Sequence, residues 1–524
     1  MYEDWELCLC DDGSADPELT DFLERLSASD SRVRTTVHES NRGISHSLNS
    51  AVSLSHGEFL TFLDQDDLLD PDALAEVSAV ISDVAEVDLI YTDEDKINER
   101  GAQFQPFFKP DWAPDLLLAF PYVGHLMVVR RSTFDGVGGF RPEYDGSQDF
   151  DLMVRIGERA RRVFHIPRVL YHWRAVSGSA ASSEDAKPWA HSSSYRALTD
   201  AVQRQGISGY VEETGLAGSY HVRREVLGHP SVSVIIPFRD QAALTVGCLD
   251  SLWVDPGYDN FEVVLIDNAS VEPESTALRR RLSNWPRIRI LDDVREFNWS
   301  AINNAAAAKC ESDLLLFMNN DIEATKPGWL RALVEQAQRP EVGAVGARLL
   351  FPDGLVQHAG VVLALNGIAG HIFTGLPSHQ PGYFFFDKVI RPYSAVTAAC
   401  MMCRREVFEE LGGFDENLAV AFNDVDYCIR VLDAGYRIIY TPLAELLHHE
   451  SISRGLSGFV RDYLYFFEKW DRNRLRNDPF YNPNLSLFAP WCSLRPRGEN
   501  ERWEALIDQL IGATHTSTDA AVVT

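Results

Sequence analysis

One pattern occurs twice along the chain, and this internal repeat limits the possible fold more than any other feature. Residues 59–66 read FLTFLDQD and residues 314–321 read LLLFMNND, so each is an apolar run that ends in an acidic cluster. Further matches follow in the same order in both copies: Gly-Gly-Phe at 138–140 and 412–414, and an acidic pair at 149–151 and 424–426. Such long units exceed the repeats of a solenoid. The repeat therefore predicts two tandem domains.

The second copy shows the order of strands and helices most clearly. Short apolar, β-branched runs at 231–237, 261–266, 288–290 and 314–318 alternate with helical stretches. This alternation predicts an α/β fold with a mainly parallel, Rossmann-like sheet that carries helices on both faces. Ligands bind such sheets beyond the carboxyl ends of the strands, where Asp267 and Asp321 are expected.

The first copy begins later in the pattern than the second copy does. Its opening residues 5–14 correspond to the second strand of the later copy, so the counterpart of strand 231–237 is missing. A parallel sheet without a central strand would expose long edges and apolar surface. We therefore expect that Met1 is not the natural start or that the chain is a fragment, with a degenerate first domain as the alternative.

These observations divide the chain into four predicted segments. Residues 1–178 form a domain that lacks its opening strand, and residues 179–229 form a linker with a helix at 188–205. Residues 230–456 form a complete domain of the same type. Residues 457–524 form a helical extension, with helix at 459–476 and a disordered tail from Thr514.

Charge and cysteine content exclude several classes of protein. The chain has 524 residues, with 48 basic and 77 acidic side chains and a net charge of −29. That balance argues against binding of nucleic acid, and an acidic protein that binds anionic substrates usually needs a cation at the site. The eight cysteines are scattered, which indicates a reducing cytoplasm, and we interpret Cys400 and Cys403 as buried strand residues. No signal peptide or apolar run long enough to span a membrane is apparent.

The repeated acidic cluster is the first candidate site. Asp64 and Asp66 stand two residues apart just after a strand, where two carboxylates would suit a hard divalent cation such as Mg²⁺ or Mn²⁺. The second copy has Asn319 in place of the first carboxylate, so its metal site should be weaker or rely on Asp321. The alternative is a polar cap between strand and loop, but recurrence in the same context favours a site.

A second pair of carboxylates follows the Gly-Gly-Phe turns. Asp149 and Asp424 each stand at the predicted start of a helix, where a carboxylate serves as a helix cap or as a general base at the ligand-binding rim. The partners two residues on, Asp151 and Asp426, point elsewhere on the helix and are interpreted as structural.

In each copy, a histidine follows the last predicted strand. His172 and His448 stand in similar contexts, so a metal or phosphate contact competes with the ordinary interpretation of a core or surface histidine. His449 has no counterpart, because Trp173 takes its place, and it ranks below His448.

Five motifs in order resemble glycosyltransferase family two, the inverting nucleotide-sugar transferases of GT-A fold. The strand SVSVIIPFRD from Ser231 resembles the opening strand of the family, and 11–14 and 267–270 resemble its nucleobase-binding strand end. Residues 64–66 resemble the DxD metal motif, and 319–321 the NND variant of rhamnosyltransferase-like members. Gln148-Asp149 and Asn423-Asp424 stand where the family has its catalytic acidic pair, and 448–455 resemble its late histidine motif.

The resemblance implies a role for each matched residue. The general base would be Asp424, and Asp149 in the first copy. The nucleotide would be bound by Pro237, Asp267, Asp11, Asn320 and Gln65. Mg²⁺ or Mn²⁺ would be held by Asp321, Asn319, His448, Asp64, Asp66 and His172.

The implied activity is transfer of a sugar, with inversion, from a UDP-, dTDP- or GDP-linked donor to a saccharide or lipid-linked acceptor. Tandem members of this type often act in the synthesis of bacterial surface polysaccharide such as O-antigen. The expected location is the cytoplasm, with at most peripheral association at the inner face of the membrane. One alternative is a first domain that only binds carbohydrate or supports folding. Another is a nucleotidyltransferase, which residues 238–241 disfavour because they lack the glycine-rich phosphate loop.

Overall fold

A computed structural model describes residues 2–175, 188–449 and 457–521. The chain divides into two compact units, Met1–Arg223 and Arg224–Thr524. The α/β fold class predicted from the sequence is confirmed in both units. Residues 188–223, which we expected in a linker, belong to the first unit. The expected boundaries at 178/179 and 456/457 lie outside the described residues.

The second unit is built on one mixed sheet. Its strands are β11 (Val232–Phe238), β12 (Phe261–Asp267), β13 (Ile288–Asp292), β14 (Leu314–Met318), β15 (Ile322–Ala324), β16 (Val342–Leu350), β17 (Val356–His358), β18 (Val361–Leu363), β19 (Ala369–His371), β20 (Arg391–Pro392), β21 (Cys400–Arg404) and β22 (Arg437–His448). The main path of the mixed sheet runs β13-β12-β11-β14-β21-β16-β22-β15, and β17 and β20 pair with β16 and β22, whereas β18 and β19 form a separate two-stranded sheet. Strands β13, β12, β11 and β14 are parallel, as the sequence predicted, whereas β21 is antiparallel to both of its neighbours.

Helices cover both faces of this sheet. They are α8 (Ala242–Leu252), α9 (Pro273–Leu282), α10 (Trp299–Ala307), α11 (Trp329–Ala337), α12 (Arg405–Glu410), α13 (Asn423–Asp433), α14 (Ser457–Lys469), α15 (Arg472–Arg476) and α16 (Glu499–Ala521). Alternate strand residues explain the two layers, because Val234 and Ile236 pack with α8, α9 and α11, whereas Ile235 packs with α10, α12 and α13. A strand buried on both faces reads as the continuous apolar run seen in the sequence.

The first unit contains three separate sheets within the described residues. Its strands are β1 (Leu7–Asp11), β2 (Val33–Val37), β3 (Phe59–Thr61), β4 (Leu68–Leu69), β5 (Leu89–Ile97), β6 (Gln103–Phe107), β7 (Met127–Arg130), β8 (Val163–Arg174), β9 (Gly209–Glu213) and β10 (Tyr220–Arg224). Its helices are α1 (Pro17–Ser29), α2 (Ile44–Leu54), α3 (Ala73–Asp83), α4 (Pro114–Leu117), α5 (Arg131–Val137), α6 (Gln148–Gly157) and α7 (Pro188–Arg204). One sheet has the order β3-β7-β5-β8-β4 with β6 beside β5, and β1 pairs with β2 alone. A third, small pair consists of β9 and β10.

In the first unit, no strand of the described residues joins the two parts of the divided sheet. In the second unit β11 hydrogen-bonds to β12 on one side and to β14 on the other. Their counterparts in the first unit are β1 and β3, which belong to different sheets. The prediction that the first copy lacks its opening strand therefore matches the described residues.

The C-terminal extension differs from the expectation in one respect. The helix predicted at 459–476 is found as α14 and α15. Helix α16 continues past Thr514, where we expected a disordered tail, to Ala521. Among the described residues, no helix combines the length and the apolar character needed to cross a membrane.

Candidate active site

A cavity of about 390 Å³ lies at the carboxyl end of β14 in the second unit. Three residues singled out from the sequence line it together: Asn319, Asp424 and His448. They come from the loop after β14, the first turn of α13 and the end of β22, so the topology gathers them at one rim of the sheet. The sequence did not predict Gln357, His371 or Thr397, which also line the cavity.

The acidic cluster of the second unit surrounds one histidine. Asp321 is buried, and its Oδ1 lies 3.2 Å from Nε2 of His448. The amide nitrogen of Asn319 is 3.5 Å from the same Nε2, and Asn320 donates to Oγ1 of Thr245 at 3.1 Å. His449 faces Glu323 instead, at 3.0 Å. The structure thus brings Asn319, Asp321 and His448 together.

These side chains form an incomplete ligand set for a metal ion. Within the described residues, no group of three or more His, Cys, Asp or Glu side chains is arranged to hold a metal. The carboxylate of Asp321 and the imidazole of His448 nevertheless suit Mn²⁺ or Mg²⁺. Asn319 would add its amide oxygen only if the amide group, whose nitrogen faces His448, were turned round. The residues therefore fit a divalent cation whose remaining ligands would come from a phosphate group or water.

Asp424 is held in place by backbone donors. Its Oδ1 accepts from the N–H of Val425 at 2.8 Å and its Oδ2 from the N–H of Ala398 at 3.1 Å. The residue is half-buried and lines the cavity. A carboxylate oxygen has two acceptor sites, so each oxygen keeps capacity for a proton of a bound hydroxyl group.

The residue two positions on has other contacts. Asp426 is fully buried, accepts from Trp470 at 2.9 Å and forms an ion pair with Arg430 at 3.0 Å. These contacts agree with the structural role that we expected for it.

The predicted nucleotide edge lies at the ends of β11 and β12. Asp267 is buried, and its carboxylate accepts from the N–H of Ser270 at 2.8 Å and from Arg279 at 2.7 Å. Pro237 pairs with Ile266 in the neighbouring strand. In the first unit, Asp11 is bonded in the same way by the N–H of Ser14 at 3.1 Å. Both loops thus use the aspartate to close a tight turn at the strand end.

The candidate residues of the first unit are more exposed. Asp64, Gln65 and Asp66 lie in the turn between β3 and β4, and Asp149 lies in the first turn of α6, all of them exposed. His172 does not repeat the position of His448, because its Nδ1 contacts Asp95 at 2.6 Å and its Nε2 lies 3.9 Å from Asp70.

The strand registers explain this difference between the two histidines. His172 pairs with Leu68, two residues after Asp66, whereas His448 pairs with Ile322, the residue directly after Asp321. The similarity of context in the sequence therefore does not place the two histidines in equivalent register.

His125 is a residue of the first site that the sequence analysis missed. Burial lowers its pKa, but its hydrogen bond to Glu94 and the charges of Glu94, Asp64 and Asp149 raise it to about 9. The ring stacks on Tyr171 at 4.6 Å between centroids. The raised pKa favours the protonated histidine at neutral pH, and the charges of Asp64 and Asp149 contribute to it.

A buried ion pair supports this histidine from behind. Lys109 is fully buried, and its Nζ lies 3.2 Å from Oε2 of Glu94. Burial would raise the pKa of Glu94, but Lys109 and His125 lower it to about 2. Glu94 also accepts from the backbone N–H of His125 at 2.7 Å. A fixed anion therefore orients His125.

Comparison with known proteins finds a match to one family model in each of the two units. The family model described as Glycosyl transferase family 2 matches residues 1–138 and 233–412, which is more than half of the chain. Over 498 residues the chain is 44% identical to the uncharacterized protein y4gI of Sinorhizobium fredii (strain NBRC 101917 / NGR234), covering 93% of this chain and 55% of that protein.

Two further relatives carry functional names. The O-antigen biosynthesis protein RfbC of Myxococcus xanthus is 43% identical over 506 residues, with 95% of this chain and 39% of that protein covered. The N-acetylglucosaminyl-diphospho-decaprenol L-rhamnosyltransferase of Mycobacterium tuberculosis (strain ATCC 25618 / H37Rv) is 28% identical over 212 residues, with 37% of this chain and 68% of that protein covered. The chain spans about half or less of the length of the first two relatives.

Proposed function

Because the chain belongs to glycosyl transferase family 2, we propose that its second unit transfers a sugar, with inversion, from a nucleotide diphosphate sugar to a saccharide or lipid-linked acceptor. The observation that carries this proposal is the single cavity that Asn319, Asp424 and His448 line together. A pocket of this volume is of the size that small ligands occupy.

The proposed mechanism is one displacement. Asp424 accepts the proton of an acceptor hydroxyl group, and that oxygen forms a bond to the anomeric carbon of the donor while the bond to the diphosphate oxygen breaks. Asp321, Asn319 and His448 would hold Mg²⁺ or Mn²⁺, which supplies positive charge against the leaving diphosphate. Asp267, Pro237 and Asn320 are the proposed contacts of the nucleotide.

We propose that this transfer takes part in the synthesis of a cell-surface polysaccharide such as O-antigen. The name of the Myxococcus relative, an O-antigen biosynthesis protein, supports this proposal. The proposed donor is a UDP-, dTDP- or GDP-linked sugar. All eight cysteines lie in the described residues and are free thiols, which supports a reducing compartment such as the cytoplasm, with at most peripheral contact with the membrane.

The first unit has a second candidate function. The charges of Asp64 and Asp149 raise the pKa of His125, so a basic histidine lies within electrostatic range of two of the predicted carboxylates of this unit. We propose a second donor-binding site there, built with Asp11, Gln65, Asp66 and His172. A unit that only binds carbohydrate or supports folding is the alternative.

A nucleotidyltransferase is a weaker proposal for the second unit. The loop after β11 places the carboxylate of Asp240 on the backbone N–H groups of Val271 and Glu272, at 2.8 and 2.9 Å. A phosphate-binding loop would leave such groups for the anion.

The test of the proposed function is the substitution Asp424→Asn in the full chain. We expect the rate of sugar transfer to fall by about 10²–10⁴-fold, because Asn cannot accept the proton. The measurement is the release of the nucleoside diphosphate from a panel of nucleotide sugars with Mn²⁺, with the sugar-transfer product confirmed by mass spectrometry. Asp433→Asn, at the far end of the same helix and half-exposed, is the matched control.

Two outcomes would count against the assignment. An unchanged rate with Asp424→Asn would remove Asp424 as the base. Loss of transfer with Asp149→Asn instead would move the activity to the first unit.

A further inference from the structure

The second ring nitrogen of His448 has a defined partner. Its Nδ1 lies 2.6 Å from Oε1 of Gln357, and both residues line the cavity. The histidine is nearly buried, at 8% exposure, so few water molecules compete for this contact.

This contact determines which nitrogen carries the hydrogen. The Oε1 atom of a glutamine has no hydrogen to donate, so Nδ1 of His448 must be the donor. In the neutral imidazole the other nitrogen, Nε2, then presents a lone pair. That lone pair lies 3.2 Å from Oδ1 of Asp321 and 3.5 Å from the amide nitrogen of Asn319. A carboxylate oxygen and an imidazole nitrogen at this separation are close enough to bind the same cation.

Gln357 stands on a rigid support. It is the middle residue of β17, which pairs with β16, and its neighbours Val356 and His358 are fully buried. Its backbone oxygen accepts from the hydroxyl of Thr374 at 3.1 Å and contacts Nδ1 of His371 at 3.2 Å. The side chain therefore leaves a fixed backbone directed at His448.

The first unit shows the same arrangement with different residues. There Nδ1 of His172 contacts Oδ1 of Asp95 at 2.6 Å, so an acceptor again occupies the Nδ1 side of the histidine. Asp95 comes from β5 rather than from a counterpart of β17. The two units have in common the chemistry at Nδ1 and not the residue that provides it.

We propose that Gln357 is a positioning residue that fixes His448 in the Nδ1–H tautomer and thereby presents Nε2 to a divalent cation. The inference rests on the proposed metal-binding role of His448. Such partners of metal-binding histidines fix the ring and strengthen the ligand, and their loss typically weakens metal binding by about 10–100-fold.

The test compares three substitutions in the full chain. Gln357→Met keeps the size of the side chain without an acceptor, and Gln357→Glu keeps the acceptor. The matched control is Gln336→Met, because Gln336 is also buried and accepts one hydrogen bond, from Arg339 at 2.9 Å, but lies on α11 away from the cavity.

The first measurement determines the tautomer of His448 from the nitrogen-15 NMR shifts of its imidazole ring. The signal of His448 is identified by its absence in the variant His448→Gln. We expect the Nδ1–H form in the wild type, in Gln357→Glu and in the control, and a mixture of tautomers in Gln357→Met. A wild-type Nε2–H form, or no change in Gln357→Met, would overturn the inference.

The second measurement is the affinity for Mn²⁺, by titration with the metal alone and with UDP present. We expect about 10–100-fold weaker binding in Gln357→Met only. Equal affinity of Gln357→Met and Gln336→Met would also overturn the inference. A change of tautomer in a protein that binds no Mn²⁺ in either titration would instead contradict the proposed metal role and leave the tautomer assignment standing.

Discussion

Phe422, which lies two residues before Asp424, adopts a left-handed backbone conformation. Its φ is 59°, a conformation that costs a residue of this type about 1–3 kcal/mol. The ring is packed against Tyr463 and Phe466, with centroids 4.7 and 5.4 Å away. This packing offsets the strain, and the turn brings Asp424 to the cavity.

His125 gives a prediction for the first unit. If its cation binds a donor diphosphate, His125→Gln should weaken the binding of UDP by about tenfold, the size expected for a lost hydrogen bond to a charged group. Titration calorimetry measures this in an Asp321→Asn background, which weakens the proposed diphosphate site of the second unit.

The same site has an expected dependence on pH. Because the raised pKa of His125 is about 9, the cation is present below that pH and is lost above it, so binding should weaken as the pH rises through 9. His56→Gln, a change of an exposed histidine in the same unit, is the control. Equal affinities of the two variants would exclude the role of His125.

The residues found from the sequence share one property. Asn319, Asp424 and His448 were found because both copies keep a polar residue in a similar context. His125 and Gln357 were missed because the comparison of two copies reveals only what both retain. His125 corresponds to Ala399; His125 lies two residues before β7, and Ala399 lies directly before β21.

Helix α14 connects the C-terminal extension to the active site. Asp462 is buried, and its Oδ2 accepts from the N–H groups of Val420 and Ala421, both at 2.8 Å. Those two residues line the cavity just before Phe422. The sequence predicted this helix from its composition, but no local pattern indicates which loop a buried carboxylate will meet.

Asp462→Asn tests this support. The asparagine side chain has one acceptor oxygen, and its NH₂ group would lie near the N–H groups of Val420 and Ala421. We therefore expect a loss of about 1–3 kcal/mol in the free energy of unfolding. We also expect a lower kcat with little change in KM for the donor, because the proposed nucleotide contacts lie at the ends of β11 and β12. Denaturant unfolding and steady-state kinetics measure both.

The control for this prediction is Asp508→Asn, which removes an exposed ion pair with Arg472 on the same extension. A large change in KM, or a kcat equal to that of the control, would contradict a positioning role for α14.

At the scale of the whole molecule, the parallel strands were predictable and the antiparallel part was not. Strands β11, β12 and β14 are buried on both faces, so their apolar runs are distinct in the sequence. The short strands β17 to β20 have two or three residues each, too few for a periodic pattern. These short strands include Gln357 and His371. The sequence analysis therefore missed the part of the cavity wall that has no periodic sequence pattern.

The divided sheet of the first unit has a consequence for amide hydrogen exchange. A two-stranded sheet is marginally stable alone, so β1 and β2 should open more often than β12 and β13, which belong to the large sheet. We expect peptides covering β1 and β2 to take up deuterium faster in mass spectrometry. Equal protection would show that the two pairs open with the same free energy. Faster exchange would mean that Asp11 is carried by a local unit that opens without global unfolding, whereas Asp267 is not.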